Sequence, residues 1–291
     1  MGQDARVQVI ETIAETRAAL DAARAGGARV GLVPTMGYLH RGHVSLMERA
    51  RTECDVVAVS IFVNPLQFGA GEDLSTYPRD LAGDTAAAEA AGVDLLFTPD
   101  VAEMYPRPAA TSVVVPELAA SMEGASRPTH FAGVATVVAK LFNIAGPSRA
   151  YFGEKDFQQL TIVRRMAADL SFPVEVVGCA IVREPDGLAL SSRNVYLTEG
   201  ERSAAPVLHR ALQAGVASIV AGERDPQAVH DLVAAIVIAE PLADLDYVAV
   251  VAAGTLEPMA ELAGEVRLLA AARFGRPRLL DNLGVLVPEQ G

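Results

Sequence analysis

The chain contains no tryptophan and only two cysteines among its 291 residues. Cys54 and Cys179 are too few for a disulfide framework, and we interpret both as buried thiols because each lies in an apolar stretch. No C-x-x-C spacing or Cys/His cluster indicates a zinc site. No apolar run approaches the roughly 18 residues that a membrane span needs, and the N-terminus lacks an apolar signal region. The sequence therefore predicts a cytoplasmic protein that does not enter membranes.

Lysine is also scarce, since Lys140 and Lys155 are the only lysines, and the formal net charge of the chain is -12. Broad contact with nucleic acid or with a membrane surface needs a basic face, so the charge argues against both kinds of partner. An anionic substrate would have to meet local positive charge, most of it from arginine.

Apolar strands alternate with amphipathic helices through about residue 180. This pattern is typical of an α/β fold, in which helices cover both faces of a parallel sheet. The predicted strands are 7–10, 30–33, 56–63, 93–97, 111–115, 150–152 and 174–182, and the predicted helices are 12–25, one from near 43, 80–91, 133–144 and 157–170. Ligands of such a sheet bind at the carboxyl ends of its strands.

The pattern changes near residue 180, which predicts a first domain over 1–180 and a smaller α+β domain over 181–291. The predicted helices of the second domain are 199–221 and 227–239, its predicted strands are 245–251 and 266–272, and 282–287 is predicted as a short terminal segment.

The stretch from Val30 to Leu46 carries the strongest functional pattern. We predict that Pro34 ends the strand over 30–33, that Gly37 and Gly42 allow a tight turn, and that a helix begins near His43. Free N–H groups at such a helix start favour phosphate.

His40 and His43 lie three residues apart in this stretch, so in a helical turn both rings face the same side. A lone histidine would more often be structural, but two of them at a strand–turn–helix junction favour function. Imidazole can donate to phosphate oxygens as charge develops at the α-phosphorus, which suits nucleotidyl transfer. The sequence lacks G-x-x-x-x-G-K-[ST], which argues against a P-loop enzyme.

Two further segments can bind phosphate. Gly153-Glu154-Lys155-Asp156 follows a strand and opens a helix, and Lys155 offers a point charge; the alternative is a solvated lysine paired with its acidic neighbours. Ser191-Ser192-Arg193 offers two hydroxyls and a guanidinium, and we predict a loop that closes over the nucleotide. The alternative for this loop is an ordinary turn capped by a serine.

A small polar substrate would suit the neutral amides of Asn64, Gln67 and Gln159, although each can also be structural. Arg127 and His130 form a compact basic spot in an acidic chain, either an anion contact or a surface loop. We interpret His209 and His230, on predicted helices, as structural.

These residues together resemble the pantothenate synthetase family, the AMP-forming ligases of pantoate and β-alanine. The resemblance extends through most of the chain. It is carried by Pro34-Thr35-Met36-Gly37, His40-x-Gly42-His43, Ile61-Phe62-Val63-Asn64-Pro65 with Gln67-Phe68, Tyr77-Pro78-Arg79, Arg127-Pro128-x-His130-Phe131, Phe152-Gly153-Glu154-Lys155-Asp156-Phe157-Gln158-Gln159-Leu160 and Asp186-Gly187-Leu188-Ala189-Leu190-Ser191-Ser192-Arg193-Asn194.

The resemblance implies a Rossmann-like nucleotidyltransferase domain, a hinged C-terminal lid domain and a homodimer. It implies ATP and Mg²⁺, a pantoyl adenylate intermediate, and release of pyrophosphate and then AMP. The residues that it places on ATP are Pro34, Met36, Gly37, His40, Gly42, His43, Gly153, Glu154, Lys155, Asp156, Val182, Leu190, Ser191, Ser192 and Arg193. Among these it also implies catalytic roles for Lys155, Ser191, Ser192 and Arg193. It assigns pantoate to Gln67 and Gln159, to which we add Asn64, Arg127 and His130. We predict no protein ligand for the metal, with Asp84 a weak candidate.

The family assigns His43 as a proton donor. A carboxylate nucleophile is already ionised at neutral pH, so we expect His40 and His43 mainly to stabilise charge in the transition state. Two alternatives remain open: a simple nucleotidyltransferase, which keeps the nucleotide on its product, and a non-catalytic nucleotide-binding module.

Overall fold

The computed structural model describes residues 7–69 and 72–288, which form two compact units. The first unit runs to Glu154 and includes Ile162–Ala180. The second comprises Lys155–Thr161 and the chain from Ile181 onward.

A six-stranded parallel sheet forms the centre of the first unit. Its strands stand in the order β1-β4-β3-β2-β5-β6. They are β1 (Gln8–Ile10), β2 (Val30–Thr35), β3 (Val56–Ile61), β4 (Leu95–Phe97), β5 (Ser148–Gly153) and β6 (Val174–Cys179). Because the strand order reverses between β2 and β5, the carboxyl ends of these two strands form the switch point where open α/β sheets bind ligands.

Helices link these strands and bury apolar residues against the sheet. They are α1 (Ile13–Ala25), α2 (Arg41–Glu53), α3 (Leu81–Ala90), α4 (Val101–Met104), α5 (Pro116–Ala119), α6 (Glu123–Ser126), α7 (His130–Ala145) and α8 (Phe157–Asp169). Leu46, Met47 and Ala50 of α2 follow helical spacing and pack on Val33 and Val59 of the sheet. This packing fixes the start of α2 directly after the carboxyl end of β2.

The second unit packs helices on a three-stranded antiparallel sheet, β7-β8-β9. Its elements are α9 (Glu199–Ala204), α10 (Val207–Val220), α11 (Pro226–Ile238), β7 (Asp244–Ala252), β8 (Gly264–Arg273) and β9 (Arg278–Val287). Val229, Val233 and Val237 lie four residues apart on α11, so one face of this helix is buried. The two sheets confirm the predicted fold class.

Three details of the sequence prediction were wrong. Pro34 does not end β2, which pairs with β3 through Pro34 and Thr35. Pairing of β2 with β5 is limited to Gly31 and Leu32, so Pro34 lies where the strand has a partner on one side only. Residues 111–115 form no strand. The helix predicted over 199–221 is two helices, α9 and α10, because Pro206 interrupts it.

Other local predictions are confirmed. Cys54 and Cys179 are buried free thiols, and burial raises the pKa of Cys179 to about 11. Gly26 caps α1, and Gly27 follows at φ 87°. No helix in residues 7–69 and 72–288 is long and apolar enough to cross a membrane.

His209 of α10 makes the stability of the second unit depend on pH. Its buried Nδ1 makes no hydrogen bond and lies 3.7 Å from Oδ2 of Asp281. Burial, and then the Arg183 guanidinium, lower the pKa of His209, while Asp281 opposes the shift. The unfolded chain therefore binds this proton more readily, so stability is complete above the unfolded pKa of about 6.5 and is lost as the pH falls below it.

We expect the free energy of unfolding to fall between about pH 7.5 and 5.5, and to fall less in His209→Gln. Urea unfolding at both pH values measures the difference. His230→Gln, at a more exposed histidine of α11, is the matched control. Parallel pH curves for wild type and His209→Gln would contradict the assignment.

Candidate active site

The turn after β2 is built on two consecutive residues with left-handed backbone. Gly37 has φ 82° and Tyr38 has φ 53°. Asp84 of α3 holds this turn, because its carboxylate accepts the N–H of Tyr38 at 2.9 Å and the N–H of Leu39 at 2.6 Å. A Cβ at Gly37 would lie 2.8 Å from Oδ2 of Asp84 and 2.9 Å from Ile61, so glycine is required by space as well as by φ.

Two parts of the sequence interpretation change here. Gly42 lies in the first turn of α2, which begins at Arg41, two residues before the predicted start at His43. Asp84, expected as a weak metal candidate or a solvated acid, is only 4% exposed and uses both carboxylate oxygens to hold the turn. It anchors the residues that lead to His40.

We expect Asp84→Asn to lower the free energy of unfolding by about 1–3 kcal/mol, because the amide nitrogen would face one of two buried backbone donors. Urea unfolding measures the change. Asp80→Asn is the matched control: Asp80 caps the same helix by accepting from Gly83, and asparagine caps equally well. Equal stability of the two variants would contradict the anchoring role.

His40 and His43 cap the start of α2 reciprocally. The N–H of Gly42 donates to Nδ1 of His40 at 3.1 Å, and the N–H of His40 donates to Nδ1 of His43 at 3.3 Å. The ring centroids are 4.0 Å apart, so the two imidazoles lie side by side, as the spacing predicted.

These two hydrogen bonds assign the tautomer of each ring. A nitrogen that accepts a backbone N–H carries no proton, so in each neutral imidazole the proton is on Nε2. Both rings are thereby Nε2–H donors while they remain neutral. Such donors can bind developing negative charge without giving up a proton.

The amide of Gln67 is held in place at the carboxyl end of β3. Asn64 donates from Nδ2 to Oε1 of Gln67 at 3.2 Å and to the carbonyl of Gly133 at 3.1 Å. Its Oδ1 accepts the N–H of Leu66 and the hydroxyl of Tyr105. The side-chain amide of Asn64 is thus fully engaged within the protein, which argues against the substrate contact predicted for it.

Arg127 and His130 hold the backbone of the same residue. Nη2 of Arg127 donates to the carbonyl of Gln67 at 3.3 Å, and Nδ1 of His130 lies 3.0 Å from that oxygen. Arg127 also pairs with Glu72 at 2.6 Å and with Glu123 at 3.5 Å. Its guanidinium is therefore ion-paired with carboxylates of this chain, which argues against the contact with a substrate anion predicted for it.

The electrostatics of this pair agree with its geometry. Burial acts to lower the pKa of Arg127, but the hydrogen bond from its guanidinium to Glu72 and the charge of Glu72 raise that pKa above its usual value. The same hydrogen bond holds the pKa of Glu72 below its usual range.

Gln67 nonetheless keeps capacity for a ligand. Its Nε2 donates to Sδ of Met36 at 2.9 Å, which leaves a second N–H and a lone pair of Oε1. Met36 and Gln67, predicted for ATP and for pantoate, are therefore direct neighbours.

The segment predicted over 153–156 is divided between the units: Gly153, the last residue of β5, and Glu154 belong to the first unit, whereas Lys155 and Asp156 belong to the second, as do Gln159 and the loop that carries Ser191. Lys155 and Asp156 lie in a short 3₁₀ turn before α8, where the ammonium is 3.8 Å from the Asp156 carboxylate. Gln159 follows on α8 and is partly exposed. Val182 and Leu190 are joined by a backbone hydrogen bond of 3.0 Å that closes a hairpin leading directly into Ser191.

Ser191 caps the 3₁₀ turn Ser192–Tyr196 by accepting the N–H of Arg193 at 3.3 Å. Ser191 thus caps a turn, as the alternative prediction for this loop stated. Its hydroxyl accepts in this cap and can still donate its proton to a ligand. Asn194 fixes the turn, because its Nδ2 donates to the carbonyl of Ala189.

The described residues contain no group of three or more His, Cys, Asp or Glu side chains that could hold a metal ion. The protein groups near the histidine pair therefore do not fit a metal cage built by the chain itself.

The sheet order and the paired histidines define a nucleotide-binding α/β enzyme with a Rossmann-like domain. A family model described as Pantoate-beta-alanine ligase matches residues 8–284. The chain belongs to this family.

Relatives and solved structures agree along nearly the whole chain. A pantothenate synthetase of Sinorhizobium medicae is 57% identical over 277 residues, which cover 95% of this chain and 95% of that protein. The crystal structure of pantothenate synthetase from Thermus thermophilus is similar at 54% identity, with a TM-score of 0.90, and the match covers 95% of this chain and 99% of that one. A pantoate-β-alanine ligase from Francisella tularensis, complexed with β-γ ATP and β-alanine, is 32% identical with a TM-score of 0.78, over 95% of this chain and 97% of that one.

Proposed function

We propose that His40 and His43 act on ATP in the reaction of this family. The chain is an AMP-forming ligase that condenses (R)-pantoate with β-alanine through a pantoyl adenylate, releasing pyrophosphate and AMP. The observation that supports the role of the histidines is that both Nδ1 atoms accept backbone N–H groups, which leaves Nε2–H as the donor on each ring.

In the first step a carboxylate oxygen of pantoate forms a bond to the α-phosphorus, and the bond from this phosphorus to pyrophosphate breaks. The carboxylate is ionised at neutral pH and needs no base. Negative charge grows on the phosphoryl oxygens and on the leaving group, and the two Nε2–H donors stabilise it. In the second step the unprotonated amine of β-alanine attacks the acyl carbon, AMP leaves with the electrons of the acyl–oxygen bond, and the nitrogen releases one proton to solvent as the amide forms.

We assign the other sequence-predicted residues by the part of the substrate that their chemistry suits. Lys155 and Arg193 supply positive charge to the triphosphate, and Ser191 and Ser192 supply hydroxyl donors. The remaining ATP contacts are Pro34, Met36, Gly37, Gly42, Gly153, Glu154, Asp156, Val182 and Leu190. ATP enters with Mg²⁺ carried on its own oxygens and on water.

Pantoate is assigned to Gln67 and Gln159. The support for Gln67 is its fixed amide, which retains one donor and one acceptor site toward a hydroxyl or carboxylate. Asn64, Arg127 and His130 act through Gln67 rather than on the substrate.

A cytoplasmic homodimer is the proposed form of the enzyme. The compartment is supported by the two buried free thiols, which suit a reducing environment. The dimer rests on the family resemblance.

ATP–pyrophosphate exchange that depends on pantoate is the decisive experiment. We expect exchange only when pantoate is present, and formation of AMP and pantothenate when β-alanine is added. A lasting adenylylated product would identify a simple nucleotidyltransferase instead. Binding of ATP without exchange would identify a non-catalytic module and overturn the proposal.

A further inference from the structure

We propose that Asn282, together with Arg267, is a positioning residue that sets the place of Lys155 for the nucleotide; this inference rests on the function proposed for Lys155. Asn282 lies in β9 and is 1% exposed. Its Nδ2 donates to the backbone carbonyl of Lys155 at 2.8 Å. Its Oδ1 accepts from Nε of Arg267 at 2.7 Å. The amide therefore joins strand β8 to the turn that carries Lys155.

Arg267 also contacts the residue that follows this turn. Its guanidinium carbon lies 3.9 Å from the ring centroid of Phe157, the first residue of α8. Phe157 is two residues beyond Lys155, so the short segment between them is attached to the antiparallel sheet by a hydrogen bond at one end and by a cation–π contact at the other. These attachments explain why Lys155–Thr161 belongs to the second unit although it directly follows β5.

Asn282 is itself held by a buried ion pair. Asp281 accepts two hydrogen bonds from Arg183, at 2.6 and 2.8 Å, and also accepts the backbone N–H of Asn282 at 2.7 Å. The backbone of Asn282 cannot shift without disturbing this bidentate pair. The side-chain donor is thus placed by a fixed backbone on one side and by the hydrogen bond to Arg267 on the other.

The precision of this placement matters because Lys155 acts as a point charge. A displacement of about 1 Å at a group that positions substrate can cost roughly 100-fold in rate. The hydrogen bond from Asn282 controls the backbone from which the lysine side chain departs, so its loss changes where the charge lies without changing the charge itself.

Asn282→Asp tests the inference with the least change in shape. Aspartate keeps the size of the side chain and the acceptor for Arg267, but it loses the donor to the Lys155 carbonyl. We expect single-turnover adenylation at saturating pantoate to fall roughly 10- to 100-fold. Asp246→Asn, which breaks the Asp246–Arg278 pair in the same small sheet, is the matched control and should keep the wild-type rate.

A double-mutant cycle separates positioning from general stability. If Asn282 acts through the lysine side chain, Asn282→Asp should cause almost no further loss in a Lys155→Ala background. Losses that multiply would overturn the inference. Arg267→Lys gives a second cycle with the same expected result, and it decides the matter if Asn282→Asp does not fold.

The two levels of proposal fail in different ways. A wild-type rate in Lys155→Ala would remove the function proposed for that lysine. A wild-type rate in folded Asn282→Asp, with Lys155→Ala impaired, would refute the positioning role and leave the proposed function standing.

Discussion

Replacement of His43 by alanine is expected to slow pantoate-dependent adenylation by roughly 10²- to 10³-fold. This is the usual cost of removing one preorganised donor from developing negative charge. Single-turnover formation of pyrophosphate measures the step without interference from product release. His230→Ala, at a partly exposed histidine of α11 in the second unit, should leave the rate unchanged.

Two smaller substitutions separate the two nitrogens of the His43 ring. Nδ1 accepts the N–H of His40, whereas Nε2 is the proposed donor to phosphate. Asparagine reproduces an acceptor near the Nδ1 position, and glutamine places an amide donor near the Nε2 position. We therefore expect His43→Gln to keep more adenylation activity and His43→Asn to keep more stability.

The opposite ranking would mean that His43 serves mainly as the cap of α2. A second contradiction would come from the pH profile. A step that needed an imidazolium would slow as the pH rises, whereas a neutral Nε2–H donor remains available.

The histidine pair itself could be predicted because its spacing and its place after a strand are local features. The tautomers could not be predicted, since they depend on backbone N–H groups that point at the rings only once α2 begins at Arg41. The sequence therefore indicated that the two imidazoles lie side by side but not which nitrogen of each ring carries the proton.

The alternation of strands and helices was predictable for the same reason, because the core residues of each element are close in sequence. Prolines were harder to interpret. Pro34 continues β2 and Pro206 interrupts a helix, and the difference lies in whether the missing N–H has a partner to lose at that point. Pairing partners are a property of the fold and not of the residue.

The anchors of the site escaped prediction because their contacts are distant in sequence. Asp84 accepts from residues 45 and 46 positions away, and Asn282 donates to a carbonyl 127 positions away. An acid on a helix or an amide in a strand carries no local sign of such a role. Gly133 was predicted only as the first residue of a helix, so its close approach to Leu66 and Gln67 escaped prediction as well.

Gly133→Ala is expected to be the most damaging small substitution in the first unit. A Cβ at Gly133 would overlap the backbone of Leu66 and Gln67, where α7 packs on the segment that carries the amide proposed for pantoate. Backbone cannot rotate away as a side chain can, so helix and segment must separate. We expect a loss of about 1–3 kcal/mol or more in the free energy of unfolding, and a loss of roughly 100-fold in kcat/KM for pantoate.

Gly200→Ala is the matched control, because it makes the same change inside a helix where the new methyl group meets only Leu242 at 3.7 Å. There the helix preference of alanine should raise stability by up to about 1 kcal/mol. The comparison also separates stability from substrate binding. If Gly133→Ala loses stability but keeps its kcat/KM for pantoate, the contact with Gln67 is structural only, and the assignment of pantoate to that amide fails with it.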